Sequence, residues 1–206
     1  MGLLAAAATT ATVPSEHDYA DALRKTLLFF RAQRSGDLAG TENPIPWRRL
    51  PAFLEDGSDV GVDLSKGYFD AGDYVKYGQP AAYAMSILAW GGLEFAPAFS
   101  ASGALEELKA AVRWGTDYML KAASNIGHQC TYYAQVGRGA AENCMAAECK
   151  YDHGYWGRPE EYASYEFSHL RRTYAVDARA AGVEVWASAS AALAGVLHLL
   201  TAVCTL

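Results

Sequence analysis

Gly67-Tyr68-Phe69-Asp70-Ala71-Gly72-Asp73-Tyr74-Val75-Lys76-Tyr77 is the stretch that decides how this 206-residue chain is read. Two carboxylates stand three residues apart around Ala71-Gly72, with aromatic residues on both sides. The small spacer lets the backbone turn sharply, so both carboxylates can face one space. Aromatic walls lower the local polarity and couple the two ionisations. One carboxylate can then hold a water while the other takes its proton, the general-base half of an inverting glycoside hydrolysis. The same spacing also suits a turn in which Asp70 and Asp73 cap a helix that begins near Pro80.

Outward from this stretch the chain reads as helices. Ser15 with Asp18 gives a capping-box-like start, and Tyr19, Leu23, Leu27 and Phe30 recur at helical spacing until Gly36. A second helix is predicted after Pro80, with Tyr83, Ile87, Trp90 and Leu93 on its buried stripe. A third runs from about Ala104 to Ala123, with Leu108, Val112, Gly115 and Met119 inward. A fourth runs from about Val183 to the end. No alternating strand pattern of useful length is present, so the expected fold class is mainly α. Residues 37–79 and 125–177 have no helical period, yet the first carries Trp47, Phe53, Tyr68, Phe69, Tyr74 and Tyr77. Connections that long are disordered or functional in compact domains. The aromatic content favours ordered, site-bearing loops rising from helical hairpins. The sequence has no internal repeat.

Composition narrows the function. Seventeen Lys+Arg against 23 Asp+Glu give a formal charge of −6, which argues against a nucleic-acid partner. With 51% hydrophobic and 19% charged residues, disorder is not expected. No uninterrupted apolar run is long enough for a membrane span; His198 breaks the best one, Ala191–Leu206. The 13 Tyr, 5 Trp and 7 Phe suit either a groove for amphipathic ligands or the core of an Ala-rich helical protein. Met1–Val13 resembles the apolar and small-residue part of a secretory signal without a basic start, and a disordered leader fits it too. Residues 1–14 are therefore set apart from a domain at 15–206, with an extracellular location as the expectation.

His128, Cys130, Cys144, Cys149 and His153 have irregular spacings for zinc, so neither a metal nor a cofactor is expected. A Cys144–Cys149 disulfide would follow from secretion; free thiols are the alternative. Lys76 reads as a solvated charge or as a cation holding a neighbouring base ionised. Arg158 and Glu160 read as a surface ion pair or as the polar edge of a sugar site. His17, His169 and His198 stand singly, as surface or satisfied core histidines.

A series of segments carries a resemblance. In order they are Phe30–Gly36, Pro46-Trp47-Arg48, Asp59–Asp63, Tyr68–Gly78, Trp114–Ala122, Tyr133–Gly137 and Tyr155–Glu160. The series closely resembles glycoside hydrolase family 9, the endoglucanases that cut β-1,4-glucan, over roughly Tyr19 to Leu193. The resemblance implies an all-α (α/α)6 barrel of helical hairpins with a long open cleft, acting as a monomer on β-1,4-glucan. By position, Asp73 matches the general base and Asp70 the partner that helps hold the water. The resemblance gives His153, Tyr155, Trp156, Arg158 and Tyr74 as substrate-binding residues: His153 for a sugar hydroxyl, Trp156 for stacking.

The chain also departs from the family. The family's acid is a Glu late in a longer domain, and no residue here matches it. The expectation is half a site with little cellulase activity by itself; the alternatives are a non-catalytic glucan binder and an aggregation-prone partial gene product. Residues 143–151 are extra. Val183 and Ser188 replace polar groups near a region where some members bind calcium, which makes that site doubtful. After about Leu197 the family pattern is lost.

Overall fold

The computed structural model describes residues 17–38, 41, 45–48, 53–123, 131–139, 151–165, 168 and 171–177. The predicted fourth helix, the leader, all four cysteines, His128 and the calcium-related positions lie outside the described residues.

Four helices are present among the described residues: α1 (Tyr19–Ala32), α2 (Gly78–Glu94), α3 (Ala96–Ala101) and α4 (Leu105–Ala122). Asp18 is itself the N-cap of α1, accepting the Asp21 amide at 2.9 Å and satisfying one free N–H of the first turn, so the helix starts later than the Ser15–Asp18 box suggested; Ser15 lies outside the described residues. Leu27 is buried and Leu23 packs beside it, whereas Tyr19 at the first turn stays exposed. Arg31 and Arg34 of the α1 end both pair with Glu107 of α4.

α4 buries the predicted stripe: Leu108, Val112, Gly115 and Met119 are all in the core. α2 does not. Its buried face is Gly78, Ala82, Met85, Ala89 and Gly92, while Tyr83 is 68% exposed and Ile87 and Trp90 also face out. The helix is apolar on nearly every side, so periodicity leaves its phase open. Small residues win the inner face because they let α2 approach α4 closely. At Gly115, an added Cβ would fall 2.5 Å from Met85 Sδ. Two apolar clusters result, one around Leu64, Tyr68, Met85, Tyr118 and Val136, the other around Leu27, Ala89, Phe99, Leu108 and Val112.

The expectation of no strands is corrected. β1 (Lys76–Tyr77), β2 (Thr131–Val136) and β3 (Thr173–Asp177) form an antiparallel sheet in the order β1-β2-β3. The register steps between Tyr133 and Gln135, so Ala134 is an extra residue. Such a bulge breaks the two-residue alternation. Tyr133 and Val136, three apart, are the buried positions of β2, and a period-two search passes over them. The described part is thus helical with a small sheet, and the sheet joins the Asp70–Asp73 loop to the second long connection. Among the described residues no helix is long and apolar enough to cross a membrane.

Candidate active site

The loop before β1 is held at both ends. The Asp70 amide donates to Val75 O at 2.9 Å and the Asp73 amide to Asp70 O at 3.2 Å. Between them Ala71 takes φ +46°, a conformation a non-glycine residue adopts only when its surroundings impose it. Neither aspartate caps α2: the helix starts at Gly78, and Tyr77 at its N-cap makes no side-chain cap bond.

Asp73 is 8% exposed. Its Oδ1 accepts the Val75 amide at 2.7 Å, and its Oδ2 lies 2.6 Å from His153 Nδ1. Asp70 is half-buried beside a cleft of about 130 Å³ lined by Phe29, Phe30, Gln33, Phe69 and Tyr77. Burial, and then the Asp73 charge, push its carboxyl above the usual range. On the other side, a wider cleft of about 450 Å³ is lined by Tyr77, Gln135, Arg138, Tyr151, His153 and Tyr174. Tyr77 borders both clefts, and its phenol is raised by burial and then by Asp73, Asp70 and Asp152. The charges of both loop carboxylates thus reach the Tyr77 hydroxyl, although Asp70 lines the first cleft and Asp73 lines neither.

His153 sits on a short 3-10 turn, Asp152–Gly154, with its side chain 53% exposed. Asp152 beside it is buried. Its Oδ2 accepts the Arg138 amide at 2.7 Å, and its Oδ1 accepts Arg171 Nη1 at 2.9 Å and the Tyr162 hydroxyl. The Arg138 guanidinium lies 3.6 Å from the Tyr151 ring centre, over the cleft that His153 lines.

The other predicted binding residues fall in different places. Trp156 is 98% exposed on the same loop as His153. Tyr155 donates its hydroxyl to Arg158 O at 2.8 Å and leans on Tyr74, Tyr162 and Tyr165; Arg158 and Glu160 point outward. Tyr74 does not line either cleft. It is buried among Phe53, Phe69 and Tyr162, with the Arg48 guanidinium against its ring.

Lys76 is neither a solvated charge nor a companion of Asp73. It is fully buried, 2.7 Å from Asp56 Oδ2, and donates to Leu64 O at 2.6 Å and Lys66 O at 2.9 Å. Burial lowers its pKa to about 8, against the pull of Asp56. Arg171 shares Asp56, at 2.6 Å through Nε. Burial would raise the Asp56 carboxyl, but the two cations outweigh it and hold it down. Sequence reasoning missed Arg171, Asp56 and Tyr77 as parts of the site. Asp56 and Arg171 are 115 residues apart, and no local motif joins them.

With this geometry in view, the relatives are informative. The family model described as Glycosyl hydrolase family 9 matches residues 19–202. Endoglucanase 17 of Oryza sativa subsp. japonica is 42% identical over 192 residues, 93% of this chain and 34% of that protein. Endoglucanase B of Cellulomonas fimi is 40% identical over 93% of this chain and 16% of its own. The structure of the termite endoglucanase from Nasutitermes takasagoensis aligns with TM-score 0.73 and 39% identity, covering 91% of this chain and 39% of that one. The cellulase Cel9M of C. cellulolyticum aligns with TM-score 0.65 and 34% identity, over 91% of this chain and 44% of its own. The chain thus spans about a third of the length of the plant relative and less than half of the two solved structures. On the family match across almost its whole length, the chain belongs to glycosyl hydrolase family 9.

Proposed function

We propose that this chain carries the base side of an endo-β-1,4-glucanase site, on part of an (α/α)6 barrel. The observation that carries the reading is the 2.6 Å approach of His153 Nδ1 to Asp73 Oδ2 beside an open cleft, with Asp70 on the same loop. Asp73 is the general base: it takes a proton from a water that attacks the anomeric carbon as the glycosidic C–O bond breaks. Asp70 helps hold that water, and burial together with the Asp73 charge raises its carboxyl above the usual range. His153 has Nδ1 occupied by Asp73, which leaves Nε2 for a sugar hydroxyl. Trp156 offers the apolar face on which a sugar ring stacks. Tyr155 and Arg158 set the pitch of that loop. Tyr74 supports the site from within the aromatic cluster.

Inversion also needs a protonated carboxylic acid on the leaving-group side. No such residue is assigned among those described, so we place this chain's contribution at the base side, with little hydrolysis of its own. The substrate is β-1,4-glucan, the location extracellular, and the working form a monomer without nucleic-acid or membrane partners; residues 15–206 form the hydrolase part and 1–14 a leader. A second reading, a non-catalytic glucan binder, is favoured by the exposure of Trp156 and His153 on one loop. Incubation with a soluble β-glucan and with insoluble cellulose tests the assignment. Binding to cellulose with negligible release of reducing ends is expected; robust release overturns the half-site assignment, and absence of binding overturns the glucan reading.

A further inference from the structure

One guanidinium ties together the two chain segments that carry the Asp73–His153 pair. Arg171 Nη1 donates both to the carbonyl of Tyr74, the residue after Asp73, and to Oδ1 of Asp152, the residue before His153. Its Nε and Nη2 grip Asp56 at 2.6 Å and 3.2 Å, and its plane lies over the Phe53 ring. The side chain is almost sealed from solvent, and Asp56 more so. The close packing is visible at Gly137, φ +100°, where a Cβ would fall 2.6 Å from Arg171 Nη1. Only glycine lets the guanidinium reach between the two segments.

We propose that Arg171 is a positioning residue: it sets the register between the Asp73 loop and the His153 turn, and so the Asp73–His153 contact. A buried arginine could serve stability alone, but this one is aimed otherwise. Nη1 reaches the immediate neighbour of each member of the pair, while the other donors anchor on Asp56, which is held in turn by Lys76. A planar fork with fixed donor directions fits this task, and lysine does not reproduce it. The catalytic meaning rests on the hydrolase reading, but the positioning itself does not.

The test reads the contact directly, by proton NMR of the full chain labelled with 15N-histidine. A short Nδ1–H bond from His153 to Asp73 gives a strongly downfield imidazole proton, identified by its loss in Asp73→Asn. We expect the resonance in the wild type and in Leu108→Ala, which opens a cavity in the separate cluster of Leu27, Ala89 and Val112. We expect it to be lost, or moved well upfield, in Arg171→Met and in Arg171→Lys. Should Arg171→Met fail to fold, Arg171→Lys decides, because it keeps a cation beside Asp56 and loses the fork that holds Tyr74 O and Asp152 Oδ1 together. An unchanged resonance in either folded variant, or none in the wild type, overturns the proposal. Glucan binding by the wild type is scored separately and bears only on the functional reading.

Discussion

His153 Nδ1 and Asp73 Oδ2 meet at 2.6 Å across 80 residues of sequence. The other Asp73 oxygen is occupied by the Val75 amide, so the carboxylate is fixed from both sides before any ligand arrives. Preorganisation of this kind lowers the cost of aligning a base with its water.

Asp73→Ala removes both acceptors. The Val75 amide is left buried without its partner, which costs about 1–3 kcal/mol of stability. In a full-length protein that carries this domain together with its acid, hydrolysis falls by roughly 10²–10⁴, the usual worth of a general base. Thermal melts and a reducing-end assay check the two effects independently.

Trp156→Ala leaves the melting transition unchanged, since the ring is 98% exposed. It weakens binding of a β-1,4-oligosaccharide about tenfold, the loss of one stacking contact worth ~1.4 kcal/mol. Isothermal titration measures it. Equal affinity in the variant would remove Trp156 from the site.

Lys76 predicts an alkaline signature. Its pKa is lowered to about 8 in the folded state, below the unfolded value, so the folded chain binds fewer protons than the unfolded chain between the two. This group therefore adds stability as pH rises from about 8 towards its unfolded pKa of about 10.4, and adds none below about 8. Lys76→Met removes the slope and also destabilises by about 3 kcal/mol, because Asp56 keeps only Arg171. Urea unfolding at several pH values reads both.

The two faces of α2 and α4 give a further contrast. Leu108→Ala costs about 2–5 kcal/mol, the price of a cavity in a closed core. Tyr83→Ser changes the stability of this chain by no more than about 0.5 kcal/mol, as expected of an exposed position. Denaturant midpoints separate the two. A large loss at Tyr83 would restore it to the buried stripe that periodicity suggested.

The legible parts of the chain were those with one dominant local signal. α4 has charge on one side and Leu108, Val112, Gly115 and Met119 on the other, so its phase follows from spacing. The Ser15–Asp18 box puts the start of α1 one turn early, because Asp18 is not the inner partner of a capping box but the cap itself. α2 is apolar all round, and its phase was settled by how closely Gly115 allows Met85 to approach, a fact about two helices. β2 was hidden by its bulge at Ala134. At the site, Asp70 and Asp73 were singled out by the spacing of their own loop, whereas His153 was named only through the family resemblance; the approach of His153 to Asp73 across 80 residues had no local signal. Lys76 was misplaced beside Asp73, since a strand sends adjacent residues to opposite faces and sequence did not place one there. Arg171 reaches Tyr74 and Asp152 only after the sheet has formed, and no spacing rule foretells that.

The most direct check is a titration of the full chain with cellohexaose, followed by NMR of 13C-carboxyl-labelled aspartate and 15N-labelled histidine. Saturable shifts at Asp70, Asp73 and His153 together are the expected result, with smaller changes at Asp63, which lines neither cleft and is engaged by Lys121. Saturating sugar that leaves all three silent, or that moves only residues remote from them, would contradict the assignment.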